Sequence, residues 1–203
     1  MFKNLLKVII IAPFLVATTC EDDLEADKLV YNVYKANVST DYSYSINDTI
    51  WVRGKISSNL FNASINDSIF MEIPQSDHFS IYKFIEPTNV SNCQDAIDSF
   101  ELVRTNGQLT FSNYCENGTI IAFPELENNR EFYSYRIGLK PKFNGDYVIS
   151  WRNGMLQNSN RNEFIIENYP IENFPNQIGF NSCGDVSWRY LNESDKEYYF
   201  KVE

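Results

Sequence analysis

The sequence predicts an all-β protein, an antiparallel β-sandwich, on three observations. The chain is rich in residues that suit pleated sheets: 15 Phe and 13 Tyr, with Val, Ile and Thr recurring and Ala scarce. Its apolar stretches are short and several alternate with polar residues, the period of a half-buried strand. Turn signals of the Asn-Asp, Asn-Gly and Gly-Asp kind punctuate them at short intervals, as in sandwiches and barrels. A hydrophobic content of 43% and an aromatic content of 15% exclude disorder as the main state.

The first segment is different in kind. Lys3 and Lys7 precede an apolar run, Val8 to Val16, too short to cross a bilayer as a helix, which needs about 20 residues. Positive start, short apolar core and small residues after it describe a secretory signal peptide over 1–19. Ala17-Thr18-Thr19-Cys20 closes it, and five of the next seven residues are acidic. This ending resembles the lipobox of bacterial lipoproteins, in the variant form found in the Bacteroidota, where Ala17 and Thr19 stand in place of the usual Leu and Gly or Ala. The resemblance covers Met1 to about Asp27. It implies that Cys20 becomes the first mature residue and carries acyl chains. It also implies a protein held to the outer membrane of the cell envelope and exposed at the surface. Two or more acyl chains anchor stably where one holds only marginally. Residues 20–28 then read as an acidic tether.

The strand region follows, over 29–167. Leu29 to Ala36 is the first candidate strand. Ser45 to Trp51 is echoed by Ser64 to Phe70, each an Asn-Asp turn feeding a strand. Ile50 to Ile56 puts Ile50, Val52 and Ile56 on one face and Arg53 and Lys55 on the other, with Trp51 on the charged face. Further strands are expected over 69–73, 79–85, 120–123, 132–139 and 163–166. Ser91 to Gln94 has capping-box spacing, so a short helix is expected over 92–99. Phe100 to Arg104 and Leu109 to Tyr114 flank Asn106-Gly107, the strongest short hairpin signal present. Phe143-Asn144-Gly145-Asp146-Tyr147-Val148 leads into the strand 145–151. That stretch resembles the late-strand entry of immunoglobulin-like domains, which implies an immunoglobulin-like sandwich. Residues 168–203 begin as a Pro- and Asn-rich loop and end in strand formers. They read as a small C-terminal β extension, either completing the same domain or forming an appendage.

The four cysteines follow from the anchor. With Cys20 acylated, Cys93, Cys115 and Cys183 allow one disulfide and leave one thiol. Otherwise two disulfides form in one of three connectivities. Cys93 with Cys115 is the first expected pair, being close in sequence, and an exported chain meets an oxidising compartment.

No residue is assigned a catalytic role. The sequence has no G-x-S-x-G, no H-E-x-x-H and no phosphate loop. His78 is the single histidine, in a loop-like stretch, and no metal or cofactor is expected. Glu125, Glu127 and Glu131, and Glu193, Asp195 and Glu197, form carboxylate clusters without a calcium-loop pattern. A net charge of −10 gives no footprint for nucleic acid. Trp51, Trp151 and Trp188 are the candidate ligand contacts, for a protein or a glycan partner. Asp48-Thr49-Ile50 and Asp67-Ser68-Ile69 resemble the Bacteroidota O-glycosylation site, making Thr49 and Ser68 candidates. Seven N-x-(S/T) triplets, from Asn37 to Asn192, matter only in a eukaryotic secretory route. The expected function is a lipid-anchored envelope binding or adhesion module without catalysis. The alternatives are a structural or assembly lipoprotein of the envelope, and a hydrolase acting on glycans.

Overall fold

The computed structural model describes residues 28–39, 41, 43–158, 163–190 and 195–203. The signal peptide, Cys20 and all of the acidic tether except Lys28 lie outside the described residues, as does Glu193. In chain order the strands are β1 (Leu29–Val30), β2 (Lys35–Val38), β3 (Ser43–Tyr44), β4 (Ile50–Ser57), β5 (Asn59–Asn62) and β6 (Asp67–Phe70). Next come β7 (Asp77–Phe84), β8 (Cys93–Asp95), β9 (Phe100–Asn106), β10 (Gln108–Phe111), β11 (Ile120–Phe123) and β12 (Glu125–Leu126). The last are β13 (Phe132–Pro141), β14 (Gly145–Trp151), β15 (Met155–Leu156), β16 (Gln177–Ser182), β17 (Asp185–Tyr190) and β18 (Glu197–Val202). One short helix, α1 (Glu163–Glu167), and a 3₁₀ turn (Ile97–Ser99) complete the described elements. Among the described residues no helix is long and apolar enough to cross a membrane.

Two units divide the chain. The smaller consists of residues 28–30 and Phe61–Ile69. In it Leu29 and Val30 pair antiparallel with Asn62 and Phe61, and the Lys28 N–H donates to Ser64 Oγ at 3.1 Å. Asn66 takes φ 52° in its turn, a conformation Asn tolerates better than most residues.

The larger unit, Tyr31–Leu60 and Phe70–Glu203, is an all-β sandwich. One layer is a six-stranded sheet ordered β12-β13-β4-β2-β15, with β9 on the other side of β13. The other is a nine-stranded sheet ordered β17-β16-β8-β7-β14-β18-β3, with β11 and β10 branching from β7. Aromatic side chains fill the space between the layers. Phe79 of β7 stacks on Tyr135 of β13 at 6.4 Å, and Phe100 of β9 meets Tyr147 of β14 edge-on at 5.0 Å. Such pairs add about 0.5–1.5 kcal/mol each beyond their area.

The nine-stranded sheet is buried on both faces near its centre. Tyr82, Phe84, Val148 and Tyr199 turn away from the sandwich and pack with Cys93, Ile178 and Phe180 under Ile165 and Ile166 of α1. This second core corrects the expected strand at 163–166: the Ile-Ile pair there caps a sheet face as a helix instead of joining an edge.

Other expectations change for tertiary reasons. The expected strand 29–36 breaks after Val30, and its two parts enter different sheets. The expected helix over 92–99 is β8 plus the 3₁₀ turn. Asn92 spends its side chain on the Tyr169 carbonyl and the Gly179 N–H, not on a helix cap. Asn106-Gly107 joins no hairpin: β9 pairs with β13 while β10 pairs with β11, so the turn, with Gly107 at φ 80°, carries the chain from one sheet to the other. Of the two alternatives for the C-terminal stretch, completion of the same domain describes β18. β18 pairs with β14 along six residues and lies inside the nine-stranded sheet.

Candidate binding face

The outer face of the six-stranded sheet gathers positive charge by register. Alternation along β4 buries Ile50, Val52, Gly54 and Ile56 and turns Trp51, Arg53 and Lys55 outward. Arg136 of β13 stands directly opposite Arg53, and on the other side of β4 Lys35 stands opposite Lys55 and Asn37 opposite Arg53. Like charges directly opposed across an antiparallel pair are destabilising, and this face holds two such pairs. With Asn106, Glu127, Ser134 and Gln157 these residues line an open groove of about 580 Å³.

Compensation inside the groove is partial. Lys55 Nζ lies 3.2 Å from Glu127 Oε2 and 3.9 Å from the Phe132 ring centre. Arg136 lays its guanidinium 3.9 Å over the Trp51 ring, yet its Nε is buried with no hydrogen-bond partner among the described residues. Among the described residues, Lys35, Arg53 and Arg136 have no ion-pair partner.

The floor of the groove is closely packed. Gly54 has no side chain because the Tyr135 ring occupies the place where a Cβ would sit. The Tyr135 hydroxyl donates to Asp77 Oδ2 at 2.6 Å, and Trp151 Nε1 donates to the same oxygen at 3.2 Å. Asp77 is 2% exposed, and burial pushes its carboxyl up to about 6 even though these donors pull the other way. Burial first, then the Asp77 charge, raises the Tyr135 hydroxyl well above its ordinary value.

His78 does not join this cluster. Adjacent residues of a strand point to opposite faces, so Asp77 enters the core while His78 faces out, with Nε2 2.9 Å from Ser76 Oγ. Burial, with Arg152 second, lowers the His78 pKa. The Asp77 carboxylate therefore does not orient the imidazole, the arrangement a hydrolytic triad requires.

The three tryptophans separate. Trp51 is half-buried on the charged face, beneath Arg136. Trp151, expected to contact a ligand, is 0% exposed and belongs to the core, which corrects that expectation. Trp188 is 50% exposed on the edge strand β17, 6.4 Å from Phe174, with Tyr190 on the same strand 58% exposed. Trp188 Nε1 donates to the Val90 carbonyl at 2.8 Å.

Cys115 bonds to Cys183, not to Cys93 as sequence proximity suggested; their Cα atoms are 5.9 Å apart. Cys93 is a buried free thiol in the second core, its pKa raised well above the ordinary value by burial. Asp95 sits beside the disulfide, accepting from the Cys183 N–H at 2.8 Å and from Ser182 Oγ at 3.0 Å. Asp95, Cys115 and Cys183 are close enough to hold a metal ion, but both sulfurs are already bonded to each other. Ser68 is exposed and Thr49 half-buried. Glu127 is engaged by Lys55, Glu131 by Asn129, and Glu197 by Arg189.

In the sequence Arg53 and Lys55 stand out as a charged face, and nothing there joins Lys35, Asn37 or Arg136 to them. The alternation Tyr133-Ser134-Tyr135-Arg136-Ile137 does place Arg136 outward. What it lacks is register, which alone sets Arg136 against Arg53.

Comparison of the chain with protein-family models, with curated proteins and with solved structures returns no match.

Proposed function

We propose that this protein is a lipid-anchored binding module of the cell envelope, without catalytic activity, whose binding face is the groove on the six-stranded sheet. The observation that carries the reading is a set of cations without an ion-pair partner among the described residues, Lys35, Arg53 and Arg136, held in register on an outer sheet face of a chain with net charge −10. A protein gains nothing in stability from opposing like charges across a strand pair, so a ligand is the natural source of their compensation. The immunoglobulin-like assignment is part of this proposal. Its support is a tyrosine corner: Tyr147, just inside β14, donates its hydroxyl back to the Phe143 carbonyl at 2.9 Å.

Anchoring at Cys20, in the outer membrane and facing outward, rests on the lipobox-like ending of the first segment. Its test is the intact mass of the mature protein from its native membrane. Acyl chains on an N-terminal Cys20 support the anchor, and an unmodified N-terminus removes it. Alkylation of the same sample should label one thiol, Cys93, and only after unfolding, because that sulfur is buried. Labelling of Cys115 or Cys183 without reductant contradicts the pairing.

A second reading, an assembly lipoprotein that contacts neighbours, is favoured by β17. It is an edge strand carrying exposed Trp188 and Tyr190, and edge strands offer unpaired backbone groups to another chain. Cross-linking in intact cells through a photoreactive residue at position 190 separates the two readings. A single recovered neighbour favours assembly, and none leaves the groove as the working face.

A further inference from the structure

We infer that the groove on the six-stranded sheet takes an oligosaccharide bearing oxyanion groups, carboxylate or sulfate, with Arg53, Arg136 and Lys35 as its anion contacts. The inference rests on the binding-module reading and names the ligand class of that same face.

Charge gives the first part. Arg53 and Arg136 present guanidinium groups, which bind oxyanions through paired N–H donors. Both line the groove, face each other across β4 and β13, and have no ion-pair partner among the described residues. The buried Nε of Arg136 is an unused donor. A buried polar atom without a partner is uncommon and asks for one.

The rest of the lining gives the second part. Asn37, Asn106 and Gln157 supply amides, and Ser134 supplies a hydroxyl. Such groups both donate and accept, which matches sugar hydroxyls and is wasted on an acceptor-only phosphate chain. Asn106 donates through Nδ2 to the carbonyl and hydroxyl oxygens of Ser134, and among the described residues nothing donates to its side-chain carbonyl, which can accept from a ligand hydroxyl. The Trp51 ring, already stacked on a guanidinium, adds an aromatic surface beside the cations.

The whole-chain charge gives the third. At −10 the molecule repels a dense polyanion at long range. A local cationic groove on such a chain suits a ligand whose charges are spaced apart, as they are along a uronic-acid or sulfated oligosaccharide. The groove is open, not an enclosed cavity, so a chain can lie across it.

The test is calorimetric titration of the full chain with galacturonate oligomers, sparsely sulfated dextran oligomers, neutral dextran oligomers and poly-glutamate. The expected result is binding of one or both acidic glycans, weakened about ten-fold or more by Arg53→Gln with Arg136→Gln, and weakened by added salt. The galacturonate and sulfate arms tell which oxyanion is read. Lys201→Gln, a charge change outside the groove, should leave binding as it is. Thermal unfolding confirms that the variants fold, and Lys35→Gln serves if the double variant does not. Equal binding of neutral and acidic dextrans overturns the ligand class and keeps the module. Poly-glutamate binding as tightly as the acidic glycans also overturns it, in favour of an acidic protein. Acidic-glycan binding untouched by the substitutions removes the groove as the site. No binding of any probe removes the ligand class together with the groove as the module's working face.

Discussion

Asp77 is the residue whose chemistry departs furthest from its surroundings. It is a carboxyl group buried between two sheets, satisfied by Tyr135, Trp151 and its own neighbour's N–H, with no ion-pair partner among the described residues. Its folded-state pKa is raised from 3.8 to about 6, so between those values the folded protein holds a proton the unfolded chain has released. Stability therefore falls as pH rises through that window, by on the order of 3 kcal/mol for this group. Denaturant titrations from pH 4 to 7 should show that decline for the native protein and lose it for Asp77→Asn. A slope unchanged in the variant would show that other carboxyl groups carry it. Arg53 makes the opposite kind of prediction. Replacing it with Gln relieves a like-charge pair with Arg136, so the unfolding midpoint should hold or rise, by about 0.2–1 kcal/mol. A clear loss of stability would mean that Arg53 has a structural partner.

At the scale of elements, β4 and β13 form the frame that the binding face depends on. They pair over eight residues, and the inward face of that pairing holds one unusual fit, Gly54 under the Tyr135 ring. Gly54→Ala should cost about 1–3 kcal/mol, the range for overpacking a filled core. It should also disturb the groove, since Arg53 and Lys55 flank that position. Tyr135→Phe keeps the ring and removes the donor to Asp77, at a cost of about 1–3 kcal/mol for the acceptor left short. If both variants unfold at the native midpoint, the Gly54–Tyr135–Asp77 stack is not what holds the two sheets in place. The pattern of β4 was plain in the sequence because one of its faces meets water. β16 carries no strand signal in its sequence, and the stretch that forms α1 reads as a strand. Both lie against the second core, where neighbours on two sides erase the alternation that identifies a strand.

Across the whole molecule, the Cys115–Cys183 bond ties the loop after β10 to the turn between β16 and β17, over a sequence separation of 68. Closing a loop of that length removes unfolded-state freedom worth about 4 kcal/mol in the chain-entropy account. Denaturation with and without reductant should show a loss of that order. A midpoint that does not move would mean that the bridge is redundant to packing. Because β18 lies inside the nine-stranded sheet, truncation after residue 190 should abolish folding instead of trimming an appendage. Circular dichroism of the truncated chain checks this, and a native-like β spectrum would contradict it.

The sequence by itself determined the fold class, the exposed charged face of β4, the strands 120–123 and 145–151 and the strand formers that end the chain, because each is written in local composition or period. Tertiary structure alone decided which segments are neighbours. It separated Asn106-Gly107 from the hairpin its residues favour, because β9 pairs with β13 in one sheet and β10 with β11 in the other. It gave Cys115 to Cys183, since the 3₁₀ turn and β8 send Cys93 into the core. It also assembled the groove, whose cations come from three strands and meet only through register. Hydrophobic period is a property of one strand; register belongs to a pair, and no single stretch of chain encodes it.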